Sequence, residues 1–171
     1  MDKEFLTKLI ITLSALFIFS VYLSISHKRR YKRYAKREYW KIQNLCSDAE
    51  LFGHLRHLHP FVFEELVIYA LKRKGWKAHH SLIYTGDGGI DGYASNKGVK
   101  YFIQDKRYSG YINPEHVQDF EKLCFLNKCR GLFVHTGKTG SLAWEANDRK
   151  RIEIVSGSRL IKLMDDEEYY F

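Results

Sequence analysis

Leu9–Ser26 is an uninterrupted run of eighteen uncharged residues, and no other stretch limits the architecture of this chain so strongly. A helix needs roughly 20 mostly apolar residues to cross a bilayer, so the run predicts a membrane span over residues 5–26. Its flanks separate a retained anchor from a cleaved leader. The preceding MDKEFLTK is neutral, because Lys3 and Lys8 balance Asp2 and Glu4, whereas a leader carries positive charge there. No A-x-A-like site follows. Instead HKRRYKRYAKR comes at once, with Lys28, Arg29, Arg30, Lys32, Arg33, Lys36 and Arg37 and no acid. That asymmetry predicts a single-pass anchor in a bacterial inner membrane, with the C-terminal side in the cytoplasm and the N-terminus outside. Juxtamembrane Lys and Arg bind anionic membrane lipid at about 1 kcal/mol each, which is the ordinary role of such a run. Tyr31, Tyr34, Tyr39 and Trp40 lie where interfacial aromatics would.

The remaining ~110–120 residues suffice for one small core. Apolar residues at 45% and aromatics at 15% exclude a disordered chain, and three cysteines exclude a disulfide scaffold. Cys124 and Cys129 are spaced C-x4-C on what reads as a helix, so with Cys46 they are read as reduced, half-buried thiols. From His54 to Met164 eighteen Lys or Arg face eleven Asp or Glu, an excess of +7, before the acidic tail Asp165–Glu168. A second basic region therefore exists beyond the juxtamembrane run, and it points to an anionic partner.

Tyr39–Leu58 reads as a linking helix of weak periodicity, in which His54, His57 and His59 have no carboxylate company. Pro60 opens a stronger helix, FVFEELVIYALKRKG, with Phe63, Leu66, Val67, Ala70 and Leu71 on one stripe and Gly75 as its stop. Three short strands follow: Trp76–Ile83, then IDGYA after the turn TGDGG, then KYFIQDKRY. Asp87 serves the glycine-rich turn by its tolerance of left-handed backbone. PEHVQDFEKLCFLNK is a helix with Val117, Phe120, Leu123 and Cys124 on one stripe. RGLFVHT is a buried strand, SLAWEANDRK a helix with Ser141 as N-cap, RIEIV a strand and SGSRLIKLM a last helix. The order predicts an α/β fold, one mixed sheet flanked by helices on both faces and preceded by one N-terminal transmembrane helix. The segments expected are 5–26 as span, 27–58 as basic juxtamembrane and linking helix, 59–165 as the folded domain and 166–171 as an acidic, aromatic tail.

Polar residues inside strands mark the chemistry. Gln104 and Lys106 are two apart, so they share one face of their strand, while Asp105 points to the other. Asp91 begins the preceding arm and can approach them. A carboxylate and an amide oxygen can hold Mg²⁺ together with water and a phosphate oxygen. A lysine beside them can orient or deprotonate the attacking water and stabilise charge developing on phosphorus. His79, His80 and His116 are read as surface or loop residues. Tyr108 and Tyr111, beside Arg107, are placed either to stack on nucleic acid or as a solvated loop.

FEELVIYALKRKGW, TGDGGIDGYA, KYFIQDKRY, RGLFVHTG and AWEAN…IEIVSGSRLIKL together resemble the Mrr-type restriction endonuclease domain of the PD-(D/E)xK nuclease superfamily, over Pro60–Met164. The resemblance implies a restriction-endonuclease-like fold and Mg²⁺ or Mn²⁺ as cofactor. It implies Asp91 as the metal-binding aspartate, Gln104 as second metal ligand, at a position often held by Glu, Lys106 as the catalytic lysine and Glu64 as the helix carboxylate facing the site. His135 stands where the family usually has a small hydroxyl residue, and would alter packing or reach substrate. Asp105 replaces the commoner small residue between Gln and Lys. A membrane anchor stands in place of the DNA-reading domain often fused to such nucleases, so DNA binding with little sequence preference is expected.

The function implied is a membrane-anchored, metal-dependent DNA endonuclease of the type IV restriction class, serving restriction, defence or the processing of mobile DNA. The competing reading is a non-cleaving DNA-binding component of a membrane assembly for DNA transfer or defence. Expected partners are DNA, membrane lipid, a second copy of the chain and membrane proteins. The charge asymmetry carries its own prediction: in cells, a cytoplasmic reporter fused after Phe171 should be active and a periplasmic reporter at the same place silent, and the reverse pattern overturns the topology.

Overall fold

The computed structural model describes residues 3–81, 89–147 and 150–166. Asp87, the end of the expected strand at Leu82 and Ile83, and tail residues 167–171 lie outside the described residues.

Helix α1 (Lys3–Ile42) is continuous over 40 residues, about 60 Å at 1.5 Å per residue. Its first half is the apolar run, wholly exposed and long and apolar enough to cross a membrane. Its second half is part of the domain's core, where Ala35, Tyr39 and Ile42 are buried. One helix thus serves both the apolar run and the fold. The chain breaks only after Ile42, and α2 (Asp48–His57) starts at Ser47, whose side chain accepts from the Glu50 N–H. Tyr39 is fully buried, and its OH donates to the Asp166 carboxylate at 3.1 Å, so it is not an interfacial aromatic as expected. Glu38 of α1, also buried, pairs with His54 at 2.8 Å and gives that histidine the carboxylate company it was not expected to have.

Helix α3 (Pro60–Arg73) begins with Pro at its first position, where the missing N–H costs nothing. It ends as expected at Gly75, with Trp76 N–H bonded to Leu71 C=O and Gly75 N–H to Lys72 C=O. The expected stripe Phe63, Leu66, Val67, Ala70 and Leu71 is buried throughout, joined by Val62 and Ile68.

Strands β1 (Lys77–His80), β2 (Gly92–Asn96), β3 (Val99–Lys106), β4 (Arg130–His135) and β5 (Ile152–Val155) form one sheet in the order β1-β2-β3-β4-β5. The first three are antiparallel, and β3–β4 and β4–β5 are parallel. Between them run α4 (Pro114–Leu126) and α5 (Ser141–Glu145), and α6 (Ser158–Met164) follows β5. The sequence places an N-cap at Ser141. Gly140 holds that position instead, and Ser141 is the first helical residue. One face of the sheet packs on α1, α2, α3 and α6 through Ala78, Ala94, Tyr101, Ile103, Leu132 and Val134, and the other packs on α4 and α5 through Phe133, Ile152 and Ile154. This is the mixed sheet flanked by helices that the element order predicts. Gly92 makes the fit possible, since a Cβ there would stand 2.9 Å from Ile68 Cδ1 and 3.0 Å from the His79 carbonyl oxygen.

Because Tyr39 joins α1 to the core, its truncation should uncouple the two. Tyr39→Ala is expected to cost about 3–5 kcal/mol in thermal or denaturant unfolding, as large aromatic deletions in cores do. Neighbouring Trp40, 42% exposed, is expected to cost under about 1 kcal/mol when replaced by Ala. Equal losses in the two variants would contradict the docking of α1 through Tyr39.

Candidate active site

Strand β3 is where the sheet changes from antiparallel to parallel, and it is covered on both faces. Tyr101 and Ile103 point to the α3 side and Phe102 to the α4 side, so Asp105 follows the former and Gln104 and Lys106 the latter. Asp91 precedes β2 and is tied to β3 at two points and to the residue after β1 at a third. Its N–H donates to Ile103 C=O at 2.9 Å, its C=O accepts from Ser81 N–H at 2.8 Å, and its Oδ2 accepts from Asp105 N–H at 2.7 Å. The structure thus brings Asp91, Gln104 and Lys106 to the same end of β3.

Gln104 is 7% exposed. Its Nε2 donates to Gly89 C=O at 2.9 Å, which fixes the amide and leaves Oε1 buried without a hydrogen-bond partner among the described residues. Gly89 has φ +90°, and a Cβ on it would run into that amide nitrogen. Only glycine meets both demands.

Glu64 lies on the first stretch of α3 and binds His80 on β1, Oε2 to Nε2 at 2.7 Å. His80 was expected in a loop or on the surface; it is a strand residue whose side chain is largely buried. Burial alone would lower its pKa, but the Glu64 carboxylate and the Ser81 carbonyl overcome that, and the net direction is upward. Asp91 is pushed up to about 6, first by burial and then by the Glu64 charge, against the Asp105 N–H, Lys106 and His80, which favour the carboxylate.

Two residues gain importance from the structure. Asp105 is buried, and neither of its carboxylate oxygens has a hydrogen-bond partner among the described residues. Burial, then the charges of Asp91 and Glu64, hold its carboxyl well above the usual range. Arg56, which no sequence motif marked, donates from Nε to the Tyr108 and Thr136 carbonyls at 3.1 and 3.2 Å and from Nη2 to Thr136 at 2.8 Å. It ties α2 to the segments just beyond β3 and β4. The signal available in the sequence was only a lone Arg before Pro60.

His135 is fully buried, which settles its role as packing and not substrate contact. Burial lowers its pKa to about 4. Its Nδ1 accepts from Gly137 N–H at 3.2 Å and its Nε2 faces Thr139 Oγ1 at 3.1 Å, so the neutral ring with the proton on Nε2 satisfies both contacts. Tyr108 is half-buried, with its OH on His116 Nδ1, whereas Tyr111 is 71% exposed under the Lys138 ammonium. Cys124 and Cys129 are buried thiols remote from this end of the sheet, and Cys46 is exposed. His57 is occupied by the Gly53 carbonyl and His59 stacks on Tyr31.

Among the described residues no three His, Cys, Asp or Glu side chains converge as a metal cage. Mg²⁺ does not require one, since it is usually held by one or two carboxylates with waters and phosphate oxygens. The Asp91 carboxylate and the orphaned Gln104 Oε1 are hard oxygen donors of the kind it takes.

A restriction endonuclease family model, that of the Mrr catalytic domain, matches residues 55–164. Its span includes Arg56. Among solved structures the chain is similar to "MspJI Restriction Endonuclease in Complex with 27-mer Oligonucleotide", at 20% identity and a TM-score of 0.49, over 72% of this chain. The chain spans only 33% of that protein's length. No curated protein matches the chain.

The raised pKa of Asp91 gives a stability prediction with a definite sign. Stability associated with its neutral carboxyl is complete below about pH 4 and is lost as pH rises through about 6. In metal-free buffer, Asp91→Asn should therefore be more stable than the parent at pH 8, by roughly 2 kcal/mol, and equal to it near pH 4. A variant that is less stable at pH 8 than at pH 4 relative to the parent would contradict the burial assigned to this carboxyl.

Proposed function

The chain belongs to the Mrr restriction endonuclease family, and on that premise we propose that it is a membrane-anchored DNA endonuclease that uses Mg²⁺ or Mn²⁺ to hydrolyse phosphodiester bonds. The observation that carries this reading is the buried, unpartnered Gln104 Oε1, held by Gly89 at the end of β3 that also bears Lys106 and adjoins Asp91. A buried amide oxygen without a donor is costly unless something fills the place, and a cation does.

In this reading Asp91 and Gln104 would hold the cation, which would supply Lewis acidity toward the scissile phosphate. Asp91 must give up its proton to do so, and a buried carboxyl near pH 6 releases it readily at neutral pH. Lys106 lies on the same face as Gln104, and its ammonium orients the attacking water and stabilises negative charge on the phosphate oxygens. Glu64 acts through His80, whose ring it holds in place beside the site. Arg56 and Arg107 fasten the ends of β3 and β4, so that Lys106 is carried on a rigid edge. The apolar half of α1 spans a membrane, residues 27–58 form the basic stretch and α2, and 59–165 form the catalytic domain. A double-strand cut by so small a site calls for two copies, so a homodimer on DNA is part of the proposal.

The test is cleavage of plasmid DNA by the full chain in detergent micelles, with and without Mg²⁺ or Mn²⁺. Asp91→Ala and Lys106→Ala are each expected to lower cleavage by at least about 10²-fold without loss of fold, as removal of one charge-stabilising group does. Asp91→Ala should also flatten the Mg²⁺ titration, while Lys106→Ala should leave it in place. Gln104→Glu should keep or tighten metal binding. Wild-type rates in the Asp91 and Lys106 variants would return both residues to a structural role, and DNA binding with no cutting under any metal would favour the non-cleaving alternative.

A further inference from the structure

The packing of α1 on α3 decides which end of the domain faces the membrane. Tyr31 stacks on His59 at 5.1 Å and meets Phe61 at 5.4 Å, where α3 begins, and Tyr39 meets Tyr69 at 5.0 Å, near where α3 ends. The two helices run in the same direction, so the first turns of α3 are its membrane-proximal part. Glu64 lies there. Arg107, next to Lys106, donates to the carbonyls of Arg56 and Leu58, immediately before α3. The end of the sheet that bears the candidate site therefore faces back toward the anchor.

Height along α1 then sorts its cations. At 1.5 Å per residue, Lys28, Arg29 and Arg30 stand about 3–6 Å past Ser26, and Lys32, Arg33 and Lys36 about 9–15 Å. The headgroup layer on one side of a bilayer is only about 5–8 Å deep. The first three lie among headgroups, and the second three lie beyond them, level with the start of α3. Lys32, Arg33 and Lys36 are exposed, share one face of the helix within about 100°, and form no ion pair among the described residues. Arg30 and Arg37 differ: both lie over the Tyr34 ring, and Arg37 pairs with Glu38. Lys32 is also close enough to buried Glu65, the neighbour of Glu64, for its charge to oppose the upward push of burial on that carboxyl, as does the charge of His80. Lys32 is therefore the member of this cationic stripe nearest α3, while Lys36 and Arg33 follow it round toward the outer side of α1.

We propose that Lys32, Arg33 and Lys36 bind the phosphate backbone of DNA that is held at the level of the candidate site, between the domain and the membrane surface, with Lys32 nearest the site. This rests on the endonuclease reading. It assigns the upper part of the juxtamembrane run to nucleic acid and leaves only its lower part to lipid.

The full chain in nanodiscs of neutral phosphatidylcholine, with EDTA present to prevent cutting, is titrated with a short DNA duplex over a range of salt. Each phosphate contact contributes about 0.9 to the slope of log affinity against log salt, so Lys32→Gln/Arg33→Gln/Lys36→Gln should lower the slope by about two to three. Lys28→Gln/Arg29→Gln/Arg30→Gln should leave the DNA slope within about 0.5 of the parent and weaken attachment to anionic vesicles instead. An unchanged slope in the first triple variant, with DNA binding by the parent intact, overturns the inference and spares the endonuclease reading. Equal loss in both triple variants also overturns it, because charge alone and not position would then be acting. Absence of DNA binding by the parent overturns both.

Discussion

Helix α3 is the part on which the rest depends, because it is buried on one side by the sheet and on the other by α1. Leu66 and Val67 are fully buried, and Ile68 reaches the sheet beside Gly92. The energy that holds α1 in place is therefore the burial of α3, chiefly through Ala35, Tyr39 and Ile42. One face of the last two turns of α1, from Ala35 to Ile42, is core, so the apolar run and the domain are joined by continuous helix.

The same burial sets the chemistry. The sheet is apolar until the end nearest the start of α3, where Asp91, Gln104, Asp105 and Lys106 lie on the two faces of β3 and Glu64 pairs with His80. Burial pushes both aspartates toward their neutral forms, and Lys106 and His80 pull Asp91 back toward charge. Such a set carries unsatisfied polar groups that a core would exclude, and it persists because the surrounding apolar packing over-determines it. On the endonuclease reading, a cation bound there would lie against the Asp91 carboxylate and give Gln104 Oε1 a partner.

Much of this was legible in the chain. The stripe of α3, its stop at Gly75, the order of helices and strands along the chain and the shared face of Gln104 and Lys106 all follow from local pattern, which the structure obeys. What local pattern could not show were contacts between distant segments. His80 looked like a loop histidine because Glu64, sixteen residues earlier, was its partner. Glu38 and His54 stand the same distance apart and lie on different helices. Tyr39 read as an interfacial aromatic because its neighbours are basic, and only the packing of α1 on α3 buries it. Arg56 has no motif at all, and its role exists only once β3 and β4 end beside it.

A continuous helix also bears on selectivity. A flexible linker of n residues lets a domain roam over roughly 5–6 Å × √n, and so reach DNA at many heights. With α1 unbroken to Ile42, the height of the site is fixed by the few residues between Ser26 and Tyr31, each worth about 1.5 Å. Contacts from Lys and Arg to phosphate hold a duplex in place without reading its bases. On the endonuclease reading, such an enzyme chooses by position: DNA that passes close to the membrane is within reach, and DNA elsewhere in the cell is not. The anchor then supplies discrimination that a separate base-reading domain would otherwise have to provide.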